Sequence, residues 1–261
     1  MKVIVAGLYK TGTKSMKEAL KILGYNVWDY REQLNWVEGG IEAWERLLEE
    51  NNSPKQSLQN MFKYCEAVTD GPAALLSVEL SRAFPESKII LCVRDVEEWF
   101  ESYSDCRNTL NQNPVYRLLL LLSPTVRRRS QVMRLINDAI CCGRFLHPFF
   151  LRHRNAPSPI LSKRAYLSHV AYVIHSLPKD RVLIFNVKEG WSPLCSFLEK
   201  DIPNCHFPHV NQRQHNNASM SAIFHDLQEN AFGRNSVLLE TFVVFIFVVL
   251  VTCCTCYRCF L

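Results

Sequence analysis

The stretch Val3-Ile4-Val5-Ala6-Gly7-Leu8-Tyr9-Lys10-Thr11-Gly12-Thr13-Lys14-Ser15 decides how the rest of the chain is read. Four apolar residues end at a glycine. A segment with helical spacing then runs through Met16, Ala19, Leu20 and Leu23 and stops at Gly24. A short apolar run followed by an amphipathic one predicts a buried strand, a turn and a helix. The turn carries two glycines, three hydroxyl residues and two lysines. Backbone N–H groups at a helix N-terminus point at an anion, and glycines let the main chain wrap around it. Gly7–Ser15 is therefore expected to grip a phosphate; the plainer alternative is an ordinary glycine-containing turn.

Two common phosphate loops fail on spacing. A triphosphatase loop reads G-x-x-x-x-G-K-[ST], but Gly12 is followed by Thr13 and the lysine comes one place late. A dinucleotide loop reads G-x-G-x-x-G, and Tyr9 stands where its second glycine would be.

Outward from the loop, Trp28–Glu50 is expected to be helical with a break at Gly39-Gly40, and Asn51–Pro54 a loop. Cys65–Thr69 reads as a second strand, followed by Asp70-Gly71-Pro72 and a helix over Ala73–Phe84. Lys88–Val93 is the third strand, with a helix from Asp95 to Tyr103, and Arg181–Val187 is the fourth. Residues 115–154 are mostly helical and basic, with eight arginines against one acid, Asp138. Helices are also expected over Ser162–Leu177 and Ser192–Glu199, and an irregular arm over Pro203–Asn217. Strands alternating with helices imply a three-layer α/β fold with a central parallel sheet. Ligands of such sheets sit beyond the carboxyl ends of the strands, where Gly7–Ser15, Asp70–Pro72 and Arg94-Asp95 should meet.

Composition agrees with one packed domain: 261 residues, 48% hydrophobic and 21% charged. A net charge of +5 favours anionic ligands or membrane surfaces and argues only weakly for nucleic acid, which is not expected as a partner. Most of the 11 cysteines lie scattered in apolar stretches, as reduced thiols would. Thr241–Tyr257 carries no charge, and with Val237–Glu240 it approaches the roughly 20 residues that a bilayer requires. The expectation is a domain over 1–218 with a helical acceptor or lid region near 107–178, a linker over 219–236, a membrane anchor over 237–257 and a tail over 258–261. An anchor so near the end emerges after the preceding domain, which is thereby expected in the cytosol. Cys253, Cys254, Cys256 and Cys259 read as S-acylation candidates.

The loop resembles the [KR]-[ST]-G-T-x-S loop of P-loop sulfotransferases that use 3′-phosphoadenosine-5′-phosphosulfate, in a branch similar to the schistosome oxamniquine-activating enzyme. Three further blocks carry the resemblance over residues 1–212: AVTDGP at Ala67–Pro72; ILCVRDVEEWFES at Ile90–Ser102, with Arg94 and Ser102 eight apart; and KEGWSPLCSFL at Lys188–Leu198, followed by FPHVN at Phe207–Asn211. The resemblance implies a P-loop α/β fold that moves a sulfuryl group to a hydroxyl or amine acceptor. Lys10 would be the catalytic cation at the bridging oxygen, and Lys10, Thr11, Gly12, Thr13, Lys14 and Ser15 would hold the 5′-phosphate. Arg94 and Ser102 would hold the 3′-phosphate, and Gly190 and Trp191 would lie against adenine. Asp70 would be the general base. No metal is required, and the acceptor is a small molecule or a lipid.

Several alternatives stay open. Asp70 suits a helix N-cap equally, Trp191 suits ordinary core packing, and Arg94 could serve a structural pair with Asp95. His169 and His175 are rival bases, but they sit mid-helix among apolar residues. The basic helices could line the acceptor, lie on an acidic leaflet or be merely solvated. Two other functions compete: a P-loop nucleotide kinase or hydrolase, and an inactive membrane-tethered nucleotide-binding relative.

Overall fold

A computed structural model describes residues 1–35, 40–49, 54–112, 114–141 and 157–210, together with the single residue 242. Among the described residues one parallel sheet comprises β1 (Val3–Val5), β2 (Val27–Trp28), β3 (Ala67–Val68), β4 (Lys88–Cys92) and β5 (Val182–Phe185). Their order is β2-β3-β1-β4-β5. The helices are α1 (Thr13–Ile22), α2 (Tyr30–Asn35), α3 (Gly40–Glu49), α4 (Lys55–Met61), α5 (Ser77–Ala83), α6 (Val96–Gln112), α7 (Pro114–Leu122), α8 (Pro124–Cys141), α9 (Pro159–Ser176) and α10 (Trp191–Leu198).

Successive strand side chains face opposite ways, and that alternation builds two cores. Ile4, Ala6, Val68, Ile89 and Leu91 join Trp44, Phe62, Val78 and Val173 on one face. Val3, Val5, Ala67, Ile90 and Cys92 join Met16, Leu20, Leu194 and Phe207 on the other. Helices α1 and α10 thus cover one side of the sheet, and α3, α4, α5 and α9 the other. The expected three-layer arrangement around a parallel sheet is present.

Chain direction places the site. After β1 the chain moves to the β3 side of the sheet; after β4 it moves to β5 on the opposite side. Connections leaving adjacent strands in opposite directions open a crevice at their carboxyl ends. This crevice lies between the β1–α1 turn and the β4–α6 turn.

Two expectations need correction, over Trp28–Glu50 and over Ala73–Phe84. Trp28, the expected start of that helix, ends a two-residue strand with Val27: the two pair with Ala67 and Val68 and face opposite cores. Two residues carry no legible period, so only the pairing defines them. Helix instead starts at Tyr30, and α3 starts at Gly40. The helix expected over Ala73–Phe84 divides into a 3-10 turn over Ala73–Leu76 and then α5. Helix α4 lies directly after the expected loop and buries Leu58 and Met61. In the basic region, α7 and α8 run to Cys141; residues 142–156 are outside the described residues. The expected anchor, linker and tail also lie outside them, apart from Phe242. Among the described residues no helix is long and apolar enough to cross a membrane.

Candidate active site

Gly7 ends the first strand where nothing larger fits. A Cβ there would stand 2.5 Å from Cys92 Cβ on β4 and 2.7 Å from Thr11 Oγ1. The turn closes on itself as the Thr11 hydroxyl donates to the Leu8 carbonyl at 2.6 Å. Gly12 caps α1 at φ +100°, and a Cβ would meet Val187 Cγ1 at 2.6 Å. The turn after β5 therefore packs on the β1–α1 loop. Helix α1 has no side-chain N-cap and no acid in its first turn, so its leading N–H groups and dipole favour an anion there.

Lys10 sits at φ +71°. Its carbonyl accepts from Arg94 Nη1 at 3.3 Å, joining the two walls of the crevice. Tyr9 anchors the loop from behind: its carbonyl accepts from Trp99 Nε1 at 2.9 Å. Its ring begins a stack with centroid spacings of 6.0 Å to Tyr103, 5.0 Å from there to Trp99 and 4.5 Å on to Tyr166. The Tyr166 hydroxyl in turn bonds the Arg94 backbone. One aromatic column thus fixes the positions of Lys10 and Arg94.

Asp70 also has a left-handed backbone, at φ +71°. It does not cap the following turn through its side chain; Gln33 Oε1 accepts from Ala73 N there at 2.8 Å. Asp70 instead turns back to the loop. It accepts from Gly71 N at 2.8 Å and from the Thr13 hydroxyl at 3.2 Å, with Lys14 Nζ at 3.6 Å. Burial pushes the carboxyl above its ordinary range, with Lys14 opposing and Asp29 adding to the rise.

Lys14 therefore points sideways, to Asp29 as well as Asp70. Burial alone would lower its ammonium, but Asp70 and Asp29 outweigh that and hold it above its usual 10.5. Ser15 Oγ accepts from Val210 N at 3.1 Å, so the arm that begins at Pro203 reaches α1 beside the loop.

Across the crevice Arg94 Nε donates to Glu98 at 3.1 Å, and Lys188 Nζ stands 3.4 Å from the same carboxylate. These two cations hold Glu98 below the usual carboxylate range. Ser102 follows one turn later, half-buried on α6. Asp95 caps α6 through the Glu97 and Glu98 amides, at 3.0 Å each, and does not pair with Arg94. Gly190 has φ +74° with open space at its Cβ position. Trp191 is buried, donates to Cys205 O at 2.7 Å and packs edge-on against Phe207.

His169 lies under β1, where Nε2 donates to Ala6 O at 2.7 Å and burial lowers its pKa. His175 is exposed on α9. Of the arginines in the basic region, Arg128 ties α8 to Glu42 and Glu45 of α3, and Arg127 bonds Leu121 O.

The crevice thus gathers Lys10–Ser15, Asp70, Arg94 and the 187–190 turn. Three features around it go beyond the residues that sequence singles out. Glu98 is legible as an acid four residues after Arg94 on a helix. Asp29 is not, because the short strand before it carries no pattern of its own. The aromatic column depends on contacts between α6 and α9.

A family model for the sulfotransferase domain matches residues 2–216. A protein of Aspergillus versicolor, "Ava biosynthesis cluster protein M", is 30% identical over 225 residues, covering 80% of each chain. The chain belongs to the sulfotransferase domain family.

Proposed function

We propose that the protein transfers a sulfuryl group from 3′-phosphoadenosine-5′-phosphosulfate to a hydroxyl or amine acceptor. One observation carries the reading. Lys10 and Asp70 are two of the three non-glycine residues with left-handed backbone among the described residues, and both lie at the carboxyl ends of adjacent strands, with Asp70 tied to the loop through Thr13. Such backbone costs about 1–3 kcal/mol and concentrates at functional sites.

The donor set fits the ligand. The uncapped first turn of α1, with Lys10 at its head, suits a 5′-phosphosulfate. Arg94 presents a planar guanidinium for a second phosphate, with Lys188 beside it. When bound, the nucleotide supplies the activated sulfuryl group. Lys10 then serves as the cation for charge that develops on the bridging oxygen, and Asp70, raised by burial, accepts the acceptor's proton. The branch similar to the schistosome enzyme is part of this proposal, because Asp70 takes its role from it. Trp191 supports a packing role more than a contact with adenine, since its indole N–H is already bonded.

Calorimetry of the full-length chain with the desulfated product, 3′-phosphoadenosine-5′-phosphate, tests the donor. Saturable binding is expected, and its absence would overturn the assignment. In a labelled-donor assay, Lys10→Ala and Asp70→Asn should abolish transfer while Asp70→Asn keeps nucleotide affinity. Unaltered turnover in both variants would reject the catalytic roles of Lys10 and Asp70.

The domain is further proposed to work at a membrane held by residues 237–257, where a lipid or membrane-dissolved acceptor would reach it. Alkaline carbonate should leave the full chain in the membrane pellet; release to the supernatant would remove the anchor.

A further inference from the structure

Asp70 sits at one end of a chain of charges that continues away from the crevice. Its Oδ2 is 3.6 Å from Lys14 Nζ, and the same ammonium bonds Asp29 Oδ2. Asp29 is 1% exposed and also lies 3.6 Å from Lys17 Nζ. Lys17 pairs with Glu32 at 2.8 Å, and Glu32 accepts from the Asp29 amide at 2.9 Å. The lysines come from α1. Asp29 directly follows β2, Glu32 lies on α2 and Asp70 follows β3. Together they hold two ammonium groups against three carboxylates.

This placement answers what Lys14 does. A phosphate at the first turn of α1 would meet the main-chain N–H groups and side chains directed along the helix axis. The Lys14 side chain instead meets Asp29 and Asp70, which follow the paired strands β2 and β3 at their carboxyl ends. Asp29 is the fixed point: its Oδ1 accepts from Tyr30 N at 2.7 Å and its Oδ2 takes both lysines. A buried carboxylate so engaged cannot move aside, and it keeps Lys14 within reach of Asp70.

We propose that Lys14 is a positioning residue for Asp70, held in place by Asp29, and not a ligand of the donor's 5′-phosphate. The proposal rests on the reading of Asp70 as the group that takes the acceptor's proton. With Asp70 protonated the cluster carries two positive and two negative charges; with Asp70 ionised it carries one extra negative charge. Lys14 and Asp29 therefore act on Asp70 in opposite directions. Removing the cation leaves Asp70 beside Asp29 without a partner, which favours the neutral acid. Replacing Asp29 by the neutral amide keeps an acceptor for Lys14 and takes a like charge from near Asp70, which favours the carboxylate. The groups facing Asp70 are Lys14 and Thr13 from α1, the Gly71 amide from its own turn and Asp29 from the end of the neighbouring strand β2; Lys17 and Glu32 complete the cluster.

Carbon-13 NMR of the full-length chain, labelled at the aspartate carboxyl carbons, reads the titration of Asp70 directly. Asp70→Asn identifies its signal. The expected result is a midpoint about one unit or more higher in Lys14→Met, and lower in the nearly isosteric Asp29→Asn. Lys14→Arg should restore the wild-type value. Calorimetry with 3′-phosphoadenosine-5′-phosphate should show the Lys14→Met affinity within about threefold of wild type, whereas deleting a charged phosphate contact costs about tenfold or more.

An unmoved Asp70 midpoint in Lys14→Met, or a tenfold loss of affinity in that variant, would overturn the proposal. If Lys14→Met does not fold, Lys14→Gln, which keeps a hydrogen-bonding end without the charge, is read in its place, and an unmoved midpoint there overturns the proposal in the same way. Failure of the wild-type chain to bind nucleotide removes the donor reading instead, and the titration still reports whether Lys14 governs Asp70.

Discussion

At Arg94 the guanidinium already has a partner. Glu98 holds Nε from one turn along α6, and Lys188 reaches the same carboxylate from the turn after β5. On the proposed donor reading, a phosphate arriving at Arg94 must displace that carboxylate or share the cation with it. Glu98→Gln removes the competing charge and retains an acceptor. It should tighten binding of 3′-phosphoadenosine-5′-phosphate by about two- to fivefold, as expected for relief of an exposed ion pair, and the gain should shrink as salt is raised. Calorimetry at two ionic strengths decides the matter. Unchanged or weaker binding would show that Glu98 orients Arg94 and does not compete for it. Gly12 illustrates a different dependence at this scale: its φ of +100° and its contact with Val187 leave no room for a side chain.

At the scale of elements, the β1–α1 loop is held by helices that contribute nothing to the sheet. Trp99 on α6 donates to Tyr9 O, and its ring lies between those of Tyr103 and Tyr166. Trp99→Ala removes a fully buried ring and should cost about 3–5 kcal/mol of stability. Trp99→Phe keeps most of the stack but leaves the Tyr9 carbonyl without its donor, at about 1–3 kcal/mol. The milder variant is the informative one. It should weaken nucleotide binding while the fold survives in urea titrations, because the loop loses the bond that sets its posture. Full affinity in Trp99→Phe would show that α1 and β1 hold the loop unaided.

For the molecule as a whole, His169 ties α9 to β1 from beneath the site. Burial lowers its pKa below the usual 6.5, so the folded chain resists protonation while the unfolded chain accepts it. The unfolded state then binds more protons as pH falls through 6.5 toward the depressed folded value. Stability is complete above that window and declines within it, by at most about 1.4 kcal/mol per pH unit. Asp70, raised by burial, acts with the opposite sign and is common to wild type and variant. Urea unfolding of the full chain in detergent near about pH 7.5 and 5.5 should therefore show a smaller acid loss in His169→Gln, which keeps an N–H for Ala6 but does not titrate. Equal losses in the two proteins would remove His169 as the cause.

Much of this architecture was readable from local pattern. Val3–Val5, Lys88–Cys92 and the helix opening at Thr13 have apolar runs or helical spacing that depend on near neighbours alone, and the parallel sheet follows from their alternation. Gly7, Lys10–Ser15, Asp70 and Arg94 could be singled out for the same reason, since each follows a legible strand and parallel sheets collect such turns at one edge. What tertiary structure decided is where those side chains point. Lys14 reads along the chain as a phosphate ligand, yet it lies against Asp29, which follows a two-residue strand that only its pairing with Ala67 and Val68 defines. Asp70 reads equally as a cap, yet Gln33 takes the Ala73 amide. Trp191 reads as a nucleotide contact, yet Phe207 and the Cys205 carbonyl hold it. Sequence spacing sets which residues reach the edge of a sheet. Their direction depends on burial, charge and hydrogen-bond partners from distant segments, and those are set only when the layers pack.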